Sequence, residues 1–160
     1  MRGRLAIAAT LVALFAAPRL ASADATLFLG ATTSPENRAV RGFGVGVSLL
    51  IIGFEFEYAN TQEDQTTLSP SLRTYSGNVF VQTPPGFSGF QFYATTGTGF
   101  FRERLGNDQE TSYAFNSGGG AKISLAGPLR VRLDYRIFNL RGDARHSKVQ
   151  RVYAGVNLMF

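Results

Sequence analysis

The chain has 160 residues, which suits a single domain, and it contains 18 glycines, 14 phenylalanines and no cysteine. Without cysteine it has neither a disulfide framework nor a thiolate metal site. Its net charge is +5, but Arg2, Arg4 and Arg19 lie in an N-terminal segment that we expect to be removed. The rest shows no basic stripe of the kind that nucleic-acid binding needs.

Residues 1–23 have the three parts of a secretory signal peptide. Basic residues open the chain, the apolar run LAIAATLVALFAA follows, and the tripeptide ASA ends at Ala23. The apolar run is too short to remain as a stable helical anchor in a bilayer. We therefore predict that Ala21 and Ala23 form the cleavage site, which leaves one domain at 24–160.

Beyond Asp24, apolar residues recur at every second position, which is the period of a β-strand. Each predicted strand is close to the 9–11 residues that a tilted strand needs to cross hydrocarbon. The facing of the first, fourth and fifth strands stays open. The eight predicted strands are at about 25–33, 41–51, 53–60, 73–83, 90–101, 112–125, 129–138 and 149–160.

The connections between these strands favour an up-and-down barrel. Four of them are polar and are predicted to be long: SPENRAVR, TQEDQTTLSPSLR, RERLGNDQE and NLRGDARHSK. Two others, IIG and AGP, are short, whereas TPPGFSG is longer than a tight turn. Long and short connections alternate, so one end of the barrel should carry loops and the other end turns, as in outer-membrane barrels.

Alternation alone does not decide which face is buried, because a soluble barrel and a membrane barrel have opposite polarity. Charges decide it: acidic residues lie on the polar face of the third strand, and arginines on that of the seventh. These strands lie across a lumen that is only wide enough for side chains. An unpaired buried charge would cost several kcal/mol, so we predict a paired lumen network of Glu55, Glu57, Lys122, Arg130, Arg132, Asp134 and Arg136.

Two further patterns favour a polar lumen and an apolar exterior. Glycines on the polar faces of the second and sixth strands would leave room for long lumen side chains. Aromatic residues near the ends of the apolar faces are typical of the girdles at membrane interfaces. The glycines are Gly42, Gly44, Gly46, Gly118 and Gly120, and the aromatic residues are Phe43, Phe54, Tyr58, Phe92 and Tyr135.

The chain resembles the small eight-stranded outer-membrane β-barrel proteins, the family typified by the OmpA transmembrane domain. The resemblance rests on GFEFEYA, FYATTGTGFFRE, NSGGGAKISLAGPLRVRLDYRIF and the last strand. It implies an all-β, antiparallel, up-and-down transmembrane barrel in a Gram-negative-type outer membrane. It also implies that Tyr153, Gly155, Leu158 and Phe160 form the signal that the barrel-assembly machinery reads.

From these patterns we expect a monomeric scaffold that displays four polar loops and contacts outer-membrane lipid and lipopolysaccharide. The alternatives are a narrow low-conductance pore, a soluble periplasmic lipocalin-like binder and a lipid-modifying enzyme. No cofactor, metal or catalytic site is predicted. GFGVGV runs through a strand instead of opening a helix. His146 and Ser147 are adjacent, and neighbouring side chains of an extended chain point to opposite faces.

Overall fold

A computed structural model describes residues 21–64, 66–84 and 89–160. That part of the chain forms a closed antiparallel barrel in which each strand pairs with its sequence neighbours and the last pairs with the first. All eight predicted strands are confirmed, and within the described ranges no helix is long and apolar enough to span a membrane. The strands are β1 (Ala21–Ser34), β2 (Arg38–Leu49), β3 (Ile52–Thr61), β4 (Ser71–Gln82), β5 (Phe90–Leu105), β6 (Asp108–Ala126), β7 (Leu129–Leu140) and β8 (Lys148–Met159).

One predicted loop was wrong. RERLGNDQE is mostly strand, because β5 continues to Leu105 and β6 begins at Asp108. A tight turn joins them, with Gly106 at a φ of 59°, a left-handed conformation that suits glycine. Polar residues continue the ladder here, because a strand that has left the bilayer no longer needs an apolar outer face. The other connections at this end are 35–37, 62–70 and 141–147, and we call it the loop end.

The opposite end carries the turns at 50–51 and 127–128, the end of β4, the start of β5, and the contact between β1 and the last residue. Phe160 and Ala23 exchange two backbone hydrogen bonds of 2.8 Å there. Residues 1–20 of the predicted signal peptide lie outside the described residues, so its removal stays a prediction. Cleavage after Ala23 would leave Asp24 as the first residue of β1.

The barrel is apolar outside and polar inside. Leu27 and Leu29 of β1 are 72% and 70% exposed, whereas Glu57 and Arg132 are 1% and 2% exposed. The strands whose facing the sequence left open follow the same rule, with Thr26, Thr74 and Thr95 among the inward residues. This polarity is that of a transmembrane barrel and the reverse of a lipocalin-like one.

Candidate functional site

Acidic side chains of β3 meet arginines of β7 across the centre of the lumen. Glu55 pairs with Arg132, and it also accepts a hydrogen bond of 2.8 Å from Nη2 of Arg136. Nη1 of Arg136 lies 3.1 Å from Oε2 of Glu57, an ion pair without hydrogen-bond geometry. Nε of Arg136 donates to Asp134 over 3.0 Å. Each carboxylate therefore has at least one cationic neighbour, as burial requires.

A second group of charges fills the lumen nearer the turns. Nζ of Lys122 lies 2.6 Å from Oδ2 of Asp24, and Nη2 of Arg130 lies 3.3 Å from the same oxygen. Arg130 also donates to the side-chain oxygens of Asn157 and Gln91, over 2.7 and 3.0 Å. One carboxylate of β1 thus joins cations from β6 and β7, which lie three and two strands away from β1 around the barrel.

Tyrosines and other aromatic rings complete the charged layer. Tyr93 donates a hydrogen bond to Asp134 and accepts one of 2.8 Å from Nε of Arg132. The hydroxyl of Tyr153 donates to Glu57 over 3.2 Å. Arg151, which pairs with Glu57, stacks its guanidinium 4.6 Å from the ring centroid of Phe138. Such contacts stabilise a cation where water is absent.

Every residue of the predicted lumen network is buried and forms at least one ion pair. These residues are Glu55, Glu57, Lys122, Arg130, Arg132, Asp134 and Arg136. The lumen also holds Asp24, Arg151 and Tyr93, which were not predicted from the sequence. The signal for Arg151 was present, because it shares the parity of Tyr153 and Asn157. Asp24 was assigned only to the position after the cleavage site.

Above the charges, towards the loop end, an apolar cluster closes the lumen. It was not predicted, because Phe101 and Phe138 lie on faces whose other residues are largely polar or glycine. Phe101 is fully buried. Arg38 lies beyond it and donates hydrogen bonds to backbone oxygens of Gln62 and Pro70. The cluster consists of Leu72, Phe101, Ala114, Phe138, Leu140 and Val149.

The predicted assembly residues occupy two environments. Tyr153 faces the lumen, with its ring stacked on Phe28 at a centroid distance of 4.0 Å. Gly155 lies on the same inward face. Leu158 and Phe160 point outward and are 47% and 77% exposed. Recognition of these residues by an assembly machinery stays a prediction.

At the loop end, the connection 35–37 is tied to the connection 62–70. The carboxylate of Glu36 accepts hydrogen bonds from the hydroxyls of Ser69 and Thr67, the latter over 3.0 Å. These bonds favour the ionised form, so they lower the pKa of Glu36 below its usual range. The hydroxyl of Thr32 donates a hydrogen bond of 2.9 Å to the backbone oxygen of Glu36.

His146 and Ser147 also lie at the loop end, where Ser147 is exposed and His146 is half-buried. No hydrogen bond joins their side chains in the described part of the chain. His146 is therefore not placed to activate Ser147 as nucleophilic catalysis would require.

Comparison with solved structures places the fold among small outer-membrane barrels. The N-terminal β-barrel domain of OprF from Pseudomonas aeruginosa matches with a TM-score of 0.66 and 15% identity, over 87% of this chain and 97% of that one. The chain has the fold of the eight-stranded outer-membrane barrels. Neisserial surface protein A matches equally well, with a TM-score of 0.66 and 15% identity over 88% of this chain and 96% of that one.

The outer membrane enzyme PagL shares the fold at a TM-score of 0.55 and 11% identity, over 84% of this chain and 98% of that one. The fold thus accommodates both enzymes and other proteins, and function has to be argued from the site. No family model matches the chain, and no curated protein matches it in sequence.

Proposed function

We propose that the protein is a closed, non-enzymatic scaffold of the outer membrane that holds its loop end at the cell surface. Burial of the ion-paired network is the observation that carries this proposal. The eight ion pairs that join two described residues all lie in the lumen, and the side chains that form them are at most 7% exposed. A conducting pore would need these side chains to contact water.

The apolar cluster supports the same proposal. Ions that passed the charged layer would meet Phe101 and Phe138, which are 0% and 2% exposed and have no polar side chain atoms. An eight-stranded barrel has little interior space beyond what its side chains fill. The low-conductance pore is therefore disfavoured by two successive barriers of different chemistry.

A location in the outer membrane would give the protein two kinds of partner, lipid and the barrel-assembly machinery. The apolar exterior would contact lipid, and the last strand would be read by the barrel-assembly machinery during insertion. The closed scaffold would act as a monomer, since its strand edges pair with each other around the barrel. The loop-end surface would be the part available to molecules outside the cell.

Two measurements test the proposal. Cell fractionation with a heat-modifiability gel should recover the protein in outer membranes, with different mobility before and after heating. Planar-bilayer recording should then give no discrete conductance steps. Regular steps that disappear in an inactivated sample would support the pore instead. Recovery from the periplasm without detergent would contradict a membrane scaffold altogether.

A further inference from the structure

Outward-facing arginines form a row across the loop end of β2, β3, β4 and β5. The register pairs Arg41 with Asn60, Asn60 with Arg73, and Arg73 with Arg102. Paired residues of neighbouring strands lie at one level and on one face of the sheet. All three arginines are exposed, and they lie on the outer, lipid-facing surface of the barrel. We call Arg41, Asn60, Arg73 and Arg102 the arginine row.

An aromatic belt lies directly beneath this row, two residues nearer the turns on every strand. Phe43 pairs with Tyr58, Tyr58 with Tyr75, and Tyr75 with Phe100. The ring centroids of Phe43 and Tyr58 are 5.7 Å apart, and those of Tyr58 and Tyr75 are 5.0 Å apart. A continuous aromatic belt marks the level of the membrane interface, so the arginine row lies at the headgroups.

Strand length gives the same level. Within β2, the eight steps from Arg41 to Leu49, which lies beside the turn, span about 26 Å along the strand. At a tilt of roughly 40° this is about 20 Å along the barrel axis, close to the apolar band of about 25 Å that such barrels present. The row therefore lies at the outer boundary of the hydrocarbon.

The row has no counterion within the described part of the protein. None of the ion pairs there includes Arg41, Arg73 or Arg102. Ser71 is the next outward residue of β4 towards the loop end. It pairs with Arg104, so the nearest charge beyond Arg73 in that direction is also positive. An anionic lipid headgroup at this level would supply the charge that balances the row.

An apolar groove leads down from the row. It has a volume of about 840 Å³, with Arg41 and Asn60 at its upper end. Leu27, Phe43 and Val156 are among the residues that line it below. A cationic end above an apolar trough fits a lipid with a phosphorylated headgroup and acyl chains beneath.

We propose that the arginine row binds the diphosphorylated lipid A headgroup of lipopolysaccharide. Strand spacing sets the geometry: adjacent strands are about 4.8 Å apart, so Arg73 and Arg102 form one close pair, and Arg41 lies roughly 10 Å from Arg73. Guanidinium groups bind phosphate bidentately. The close pair meets one phosphate and Arg41 the other. This inference rests on the proposed location in the outer membrane.

The test compares two charge-matched variants of the full chain, purified in detergent. R41Q/R73Q/R102Q neutralises the row, whereas R141Q/R145Q/K148Q removes three charges from the loop end in the connection 141–147 and β8. Native mass spectrometry with diphosphorylated lipid A, monophosphorylated lipid A and phosphatidylglycerol gives dissociation constants. Heat modifiability first confirms that each variant is folded.

We expect the unaltered chain and R141Q/R145Q/K148Q to bind diphosphorylated lipid A with the same dissociation constant. R41Q/R73Q/R102Q should bind it at least about tenfold more weakly. The monophosphorylated lipid should bind with intermediate strength. Equal binding by both variants, or equal affinity for phosphatidylglycerol and lipid A, would overturn the inference while leaving the scaffold intact. Absence of the unaltered chain from the outer-membrane fraction of cells would instead contradict the proposed function.

Discussion

Replacing Glu57 by glutamine would remove one charge from the middle of the lumen while preserving the size of the side chain. Arg136 would keep its contacts with Glu55 and Asp134, at 2.8 and 3.0 Å. Arg151 has no ion-pair partner other than Glu57 among the described residues, and its side chain is 3% exposed. The substitution would therefore leave one buried cation uncompensated, which costs about 3–5 kcal/mol.

Urea unfolding of the refolded barrel in lipid vesicles, followed by gel mobility and circular dichroism, measures this cost. With a slope of about 2 kcal/mol/M, Glu57→Gln should lower the midpoint by roughly 1.5–2.5 M. Arg151→Gln should cost less stability, because Glu57 then keeps its ion pair with Arg136. The double variant Glu57→Gln/Arg151→Gln should be more stable than Glu57→Gln alone. A loss under about 1 kcal/mol in Glu57→Gln, or strictly additive effects, would refute this reasoning.

Three further predictions concern other parts of the barrel. Gly118→Ala should destabilise by about 1–3 kcal/mol, because its Cβ would overlap the backbone oxygen of Tyr135 and lie 2.9 Å from Cα of Arg136, whereas Gly77→Ala, with no atom within 4 Å, should be nearly neutral in the same urea assay. Glu36 has a lowered pKa, so its contribution to stability is present above about pH 4.3 and is lost as pH falls through the pKa of the folded state. Hydrogen exchange of the connection 62–70 should therefore become faster below that pH. Glu36→Gln should abolish this pH dependence. Phe160→Ala should reduce assembly in cells, measured by heat modifiability, while purified protein refolds normally; impaired refolding would contradict a purely recognitional role.

The period-two pattern was sufficient to predict the strands, because one face of each strand is turned to lipid and the other to the polar lumen. Charge pairing across the lumen was predictable from the parity of Glu55, Arg132 and their neighbours along each strand. The apolar cluster was not, because Phe101 interrupts an inward face of threonine and glycine. The arginine row was missed for another reason: it depends on register between strands, and Arg41, Arg73 and Arg102 look unrelated along the sequence.

The most direct test of the account is which face of the strands meets lipid. The chain has no cysteine, so single spin labels can be placed at Val45, Val79 and Leu133 on the outer face and at Thr67 in a loop. In bilayers, power saturation should find the three outer labels accessible to oxygen and shielded from a water-soluble nickel chelate, with the reverse at Thr67. Nickel accessibility at all four positions would contradict a transmembrane barrel with a polar, ion-paired lumen.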